Sequence, residues 1–116
     1  MNIRSLTSGL QYRGEVEGRR QTYYVFEGKS HYIVMSFSRA KRRAGNFNVV
    51  DAAAVEYVAK RFAGRKKVTS TKVAARKPRG IRSSLEALNV LYVLIATGRA
   101  KIDSRFHEKQ LFFNVG

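Results

Sequence analysis

The run from Ser83 to Gly98, SSLEALNVLYVLIATG, constrains the fold more than any other stretch. Ser83 followed three residues later by Glu86 makes a capping box, which satisfies amide groups that a helix start leaves unbonded. Strong helix formers continue to Thr97, and Gly98 supplies a stop. Leu85, Leu88, Val90, Leu91, Tyr92, Val93, Leu94 and Ile95 make this helix apolar around most of its circumference, so its C-terminal half has to be buried. Only the first turns, with Arg82, Ser83, Ser84, Glu86 and Asn89, stay free to meet a partner. Either a partner subunit or another domain covers this helix, or the basic loop before residue 45 does the contacting of a partner; a homodimer through this helix, or through an exposed strand of the meander, is one expected option.

The flanking segments supply a compact setting for it. Asp51 is a good N-cap, Val55, Val58, Ala59 and Phe62 recur at helical spacing, and Gly64 offers the stop. Phe47, Val49 and Val50 read as an apolar lead-in strand packed against this first helix. After Arg65, Lys66 and Lys67, either Thr69 or Ser70 can cap a second helix of about two turns that faces Val73 and Ala74 inward. Pro78 and Gly80 forbid its continuation. Beyond the long third helix, Ala100 to Ile102 and Gln110 to Val115 form two strands, joined by a charged and aromatic connection from Ser104 to Lys109.

Towards the N-terminus the pattern is β. Gln11 to Glu17, Gln21 to Phe26 and His31 to Ser38 are three strand-like pieces, separated by Glu17-Gly18 and Glu27-Gly28 pairs of the kind that supply positive φ in tight hairpins. Alternation puts Tyr12, Gly14 and Val16 on one face of the first strand. It puts Tyr32, Val34 and Ser36 on one face of the third, with Ile33, Met35 and Phe37 opposite. The third piece is apolar on both faces and belongs in the middle. The chain divides into a β-meander extension with a basic loop over residues 1–45 and a helical domain over 46–116, together short enough for one compact unit.

From residue 46 onward, the order of three helices, a basic turn and a terminal hairpin resembles the winged helix-turn-helix superfamily. The resemblance covers the C-terminal part only and rests on element order and spacing. It implies an α+β fold, an N-terminal three-stranded antiparallel β-meander followed by a winged helix-turn-helix of three helices plus a C-terminal β-hairpin. It also implies that the third helix enters a major groove through its N-terminal turns, with the second helix across the backbone. Base-edge candidates are then Arg79, Arg82, Ser83, Ser84 and Asn89. Phosphate candidates are Thr69, Ser70, Lys72, Arg76 and Lys77, and wing candidates are Lys101, Arg105, His107 and Lys109.

Charge points to the same class of partner. The chain carries 23 Lys and Arg against 8 Asp and Glu, a formal net charge of +15, and such an excess concentrates polyanions at a surface. Between Tyr57 and Leu85 there are ten basic residues, Arg65, Lys66 and Lys67 among them, and no acidic one. A second basic cluster, Arg39, Lys41, Arg42 and Arg43, lies in a loop and offers further phosphate contacts. The expected partner is nucleic acid, duplex DNA before RNA, although an RNA-binding or ribonucleoprotein component would carry the same charge.

Other classes are constrained by what is missing. With no cysteine there is no disulfide, thiolate metal site or thiol nucleophile, and His31 and His107 are too far apart in sequence to suggest a metal pair. No phosphate-binding glycine loop or cofactor motif is present, so no cofactor is expected. The longest apolar run, Val90 to Ala96, falls short of the ~20 residues that span a bilayer. The first residues lack a secretory signal's apolar region, which leads us to expect an intracellular protein without a membrane partner. An enzyme reading competes from one place: Tyr23, Tyr24, Tyr32, Ser36 and Arg42 are similar to the opening of GIY-YIG nucleases, a resemblance that implies Glu56 as metal ligand. Phosphodiester hydrolysis with metals generally needs several converging carboxylates, and eight scattered acids rank this reading below a non-enzymatic binder.

Overall fold

In the computed structural model, residues 9–18, 21–37, 45–103 and 111–116 are described. Strands β1 (Gln11–Glu17), β2 (Thr22–Glu27), β3 (His31–Phe37) and β4 (Gly45–Asp51) form one antiparallel sheet in that order. Helices α1 (Ala52–Arg61), α2 (Ser70–Ala75) and α3 (Ser84–Ala96) come next, and β5 (Ala100–Ile102) pairs with β6 (Phe113–Val115). The architecture is α+β. The expected three-stranded meander is corrected to four strands. Phe47, Val49 and Val50 form the lead-in strand expected before α1, and this strand, β4, is also the fourth of the sheet, pairing with β3 along its whole length from His31↔Asp51 to Phe37↔Gly45. The division expected after residue 45 therefore falls inside a strand of the sheet.

Alternation assigned the faces of β3 as the structure has them but not those of β1. The register runs Tyr12↔Phe26 and then Gly14↔Val25, so Arg13 is an extra residue and the strand carries a bulge. A bulge swaps the faces of everything beyond it. Gly14 and Val16 turn inward, whereas Tyr12 lies outward against Phe26, with ring centroids 5.5 Å apart. The inward turn at Gly14 serves packing: its φ is +148°, and a Cβ there would lie 3.4 Å from the Ala96 carbonyl oxygen at the end of α3. The hairpin glycines differ from expectation too. Gly18 and Gly28 are absent from the residues with positive φ. A Cβ on them would stand 2.6 Å from the Tyr23 ring and 2.8 Å from the His31 ring, so both positions are small because aromatic rings cross them.

All three helices lie on one side of the sheet. Val16, Val25, Tyr32, Val34 and Val50 share a continuous core with Val55, Val58, Val73, Leu91, Leu94 and Phe113. Tyr92 of α3 is the hinge of this packing, stacked on Tyr23 of β2 at 4.3 Å and edge-on to Phe113 of β6 at 6.3 Å. Most of the apolar circumference of α3 is covered within the chain, by the sheet on one side and by α1, α2 and the hairpin strands on the others, while Leu85 in its first turn stays 61% exposed. The far face of the sheet carries Tyr12, Phe26, Ile33, Val49, Tyr24, Met35 and Phe47, of which Phe47 is 58% exposed.

The helix starts are set by local chemistry. The Asp51 carboxylate accepts from the Ala53 amide at 2.9 Å. Thr69 rather than Ser70 caps α2, its hydroxyl accepting from the Lys72 amide at 3.1 Å. Ser83 caps α3 through the Glu86 amide at 3.2 Å, and the Glu86 carboxylate returns to the Arg82 amide at 2.6 Å, one residue earlier than a standard capping box places it. Gly64 does not end α1, which stops at Arg61 with Phe62 as its C-cap. Instead its amide donates to the Val115 carbonyl at 2.9 Å and starts a short antiparallel run beside β6 that closes at the Val68↔Phe113 bridge.

Candidate nucleic-acid interface

The ten basic residues between Tyr57 and Leu85 are Lys60, Arg61, Arg65, Lys66, Lys67, Lys72, Arg76, Lys77, Arg79 and Arg82, and every one is exposed. They form a path that leaves the end of α1, runs beside β6, passes along α2 and traces the turn into α3. Lys60 and Arg61 occupy the last turn of α1, where unbonded carbonyls favour positive charge. Arg65 lies 5.7 Å over the Phe62 ring. Pairing of residues 65–68 with β6 brings Lys66 next to Lys101 of β5, the two lining one shallow depression with Asn114. The surface salt bridge Arg13–Glu27 lies on the sheet, whereas the Arg99–Glu56 pair borders this path, Arg99 lining the same depression as Lys66 and Lys101.

Lys67 and Lys77 adopt φ of +56° and +49°. A side-chain residue in this left-handed region is disfavoured, by about 1–2 kcal/mol where it is not relieved, so the turns that carry them are set by their surroundings. The Lys67 amide donates to Asn114 Oδ1 at 3.3 Å, and the Lys72 ammonium donates to the Lys67 carbonyl at 3.2 Å. Lys77 closes the end of α2, its amide donating to Ala74 at 2.9 Å. Both lysines are thereby projected from fixed backbone rather than from loose loops.

Of the expected phosphate contacts, Lys72, Arg76 and Lys77 are exposed and Ser70 is half-buried at the start of α2. Thr69 is a correction: it is 3% exposed with its hydroxyl committed to the cap, so it faces the core and not a partner. Of the base-edge candidates, Arg79, Arg82, Ser83 and Ser84 are exposed. Asn89 is the second correction, because docking of the sheet on α3 leaves it 3% exposed. Arg39, Lys41, Arg42, Arg43, Arg105, His107 and Lys109 lie outside the described residues.

Asn89 opens instead onto a cleft of about 550 Å³ between the sheet and the start of α3. Its walls are Ser30 and His31 at the β2–β3 turn, Asn48 to Asp51 on β4, Gly80 and Arg82 on the turn, and Glu86, Asn89 and Val90 on α3. The participation of His31 and Asn48 carried no signal in the sequence, where one reads as a lone strand histidine and the other as the polar member of an apolar strand. Only pairing of β3 with β4 brings them to α3.

The residues named for nuclease chemistry are placed differently. Tyr32 is buried on the inner face of the sheet, its hydroxyl 3.4 Å from Glu27 Oε2. Burial and the neighbouring Glu27 carboxylate push its phenol above the usual value. The Glu56 carboxylate receives both ends of the Arg99 guanidinium, at 2.7 and 3.0 Å. The hydrogen bond from Arg99 holds this acid below the ordinary carboxylate value. Among the described residues no three His, Asp or Glu side chains converge as a metal-binding group, and no helix is long and apolar enough to cross a membrane. Comparison with protein-family models, curated proteins and solved structures finds no match.

Proposed function

We propose that the protein is a non-enzymatic nucleic-acid binder that takes duplex DNA along the basic path from Lys60 to Arg82. The observation that carries this is the segregation of charge: ten exposed cations without an intervening acid, continued by Lys101 on the neighbouring hairpin. Cations arranged this way displace the counterions that condense on a phosphate backbone, which makes binding both favourable and steeply salt-dependent. The order of helix, bridge residue Val68, helix, turn, helix and hairpin supports a winged helix-turn-helix reading of the C-terminal part.

Within that reading the third helix enters a groove only by its tip. Arg82, Ser83, Ser84, Leu85 and Glu86 are exposed, and the sheet covers much of the helix beyond them. Base contacts then fall to Arg79, Arg82 and Ser84, while Lys66, Lys72, Arg76, Lys77 and Lys101 hold phosphates.

Fluorescence anisotropy against duplex DNA, single-stranded DNA and duplex RNA, each at two salt concentrations, tests the proposal. The expected outcome is a preference for duplex DNA and a loss of roughly 10³-fold or more in affinity between about 50 and 200 mM salt. Lys66→Ala and Lys72→Ala should each lower the salt slope by about one without changing sequence preference. Equal affinity for unrelated duplex RNA, or binding indifferent to salt, would overturn it.

A further inference from the structure

The cleft at the start of α3 is lined by the side-chain amides of Asn89 and Asn48. Asn89 is 3% exposed as a whole residue and lines the cleft, with its amide open to the cleft rather than sealed in the core. An amide that opens onto a cleft can exchange its water for a ligand that supplies both a donor and an acceptor. Asn48 on the opposite wall is a second amide, and the His31 ring forms part of the floor. Asp51 and Glu86 also line the cleft, but each already accepts a backbone amide at a helix start, Asp51 from Ala53 and Glu86 from Arg82. The cleft therefore offers amide hydrogen bonding in a partly apolar, half-enclosed space, flanked by the two capping carboxylates and one cation, Arg82.

A planar heterocycle with donors and acceptors on one edge suits these walls, and the chemistry of a side-chain amide against such an edge is that of Asn with a base. The rim explains how a base would arrive. Arg82 belongs both to the cleft and to the exposed basic path, so a nucleotide whose base edge it contacts lies at the cleft mouth. We propose that the cleft receives a single unstacked nucleobase of the nucleic acid bound on the basic path, with Asn89 bonding its edge. This inference rests on the nucleic-acid reading of the basic path. The base is supplied either by a single strand or by extrusion from a duplex, the latter least costly where the base lacks a pairing partner.

Fluorescein-labelled oligonucleotides of one sequence separate these cases: a matched duplex, the same duplex with one base opposite an abasic site, and the single strand. Anisotropy should show the unpaired-base duplex binding roughly tenfold tighter than the matched one. Asn89→Leu, which removes the amide, and Asn48→Phe, which plugs the cleft from an exposed strand position, should each abolish that difference while leaving matched-duplex affinity and salt slope unchanged. Unfolding midpoints of both variants identify a folding defect, and Asn48→Phe keeps the test decisive if Asn89→Leu is destabilised. Tighter binding by the single strand alone would assign the base to a strand end rather than to extrusion and still require loss in both variants. Equal affinity for all three probes, or a preference that survives in both variants, overturns the cleft assignment while leaving the basic path intact. Absence of salt-dependent binding to every probe overturns the nucleic-acid reading, and the cleft assignment with it.

Discussion

At the scale of single residues, the molecule places charge on backbone that charge does not itself favour. Lys77 has φ of +49° at the end of α2, where glycine would be at ease. Lys77→Gly should therefore raise stability by roughly 1 kcal/mol in thermal or urea unfolding, whereas Lys77→Ala should leave it nearly unchanged. Both should weaken nucleic-acid binding and reduce the salt slope by about one. A drop in stability for the glycine variant would mean that the lysine side chain itself secures the turn. The Glu56–Arg99 pair gives a pH test. Its hydrogen bond lowers the Glu56 acid in the folded state, so its stabilisation is present above the unfolded carboxylate value and is lost as pH falls through the folded one. Both side chains are more than a third exposed, which limits the effect to about 0.2–1 kcal/mol. The difference in unfolding free energy between the protein and Glu56→Gln should be visible at neutral pH and vanish in acid; a constant difference across that range would assign it to packing.

At the scale of elements, α3 connects three jobs: core, turn and cleft. Its helix start was legible because Ser83 and Glu86 act within one turn of chain, and the helix stops close to where Gly98 marks it. The identity of its cover was not legible, since the residues that pack on Tyr92 come from β2 and β6, far away in sequence. Strand pairing likewise depends on a partner's register. Phe47, Val49 and Val50 showed strand character locally, but their place beside β3 is a long-range choice. The two faces of β4 and β6 should differ sharply in consequence. Phe113→Ala, at a fully buried ring, should cost about 3–5 kcal/mol. Phe47→Ala, on the open face of the sheet, should cost within about 0.5 kcal/mol. Comparable losses in denaturant titrations would mean that the outer face is covered.

At the scale of the whole molecule, sheet and helices are one folding unit with two unlike sides. The core is continuous from Val16 to Val115, while the exposed cations of residues 60–82 and Lys101 lie on the helical and hairpin part. Docking the sheet on α3 leaves the helix tip available, withdraws Asn89 from the surface and builds the cleft beside Arg82. The candidate site was thus half legible in the sequence: the path of cations was, because an uninterrupted run of exposed-type residues needs no tertiary information to be seen. The cleft was not, because its walls come from β3, β4 and α3.

The sequence by itself determined the starts of the first and third helices, the near-uniform apolarity of the third and the basic run, each a matter of neighbours within a turn or two. Tertiary structure alone decided the fourth strand, the exchange of faces at the Arg13 bulge, the withdrawal of Thr69 and Asn89 from the surface, and the sheet as the cover of α3. The physical reason is the same for all of these. Capping and periodicity are short-range energies written in adjacent residues, whereas register and burial are settled only when distant segments compete for the same apolar surface.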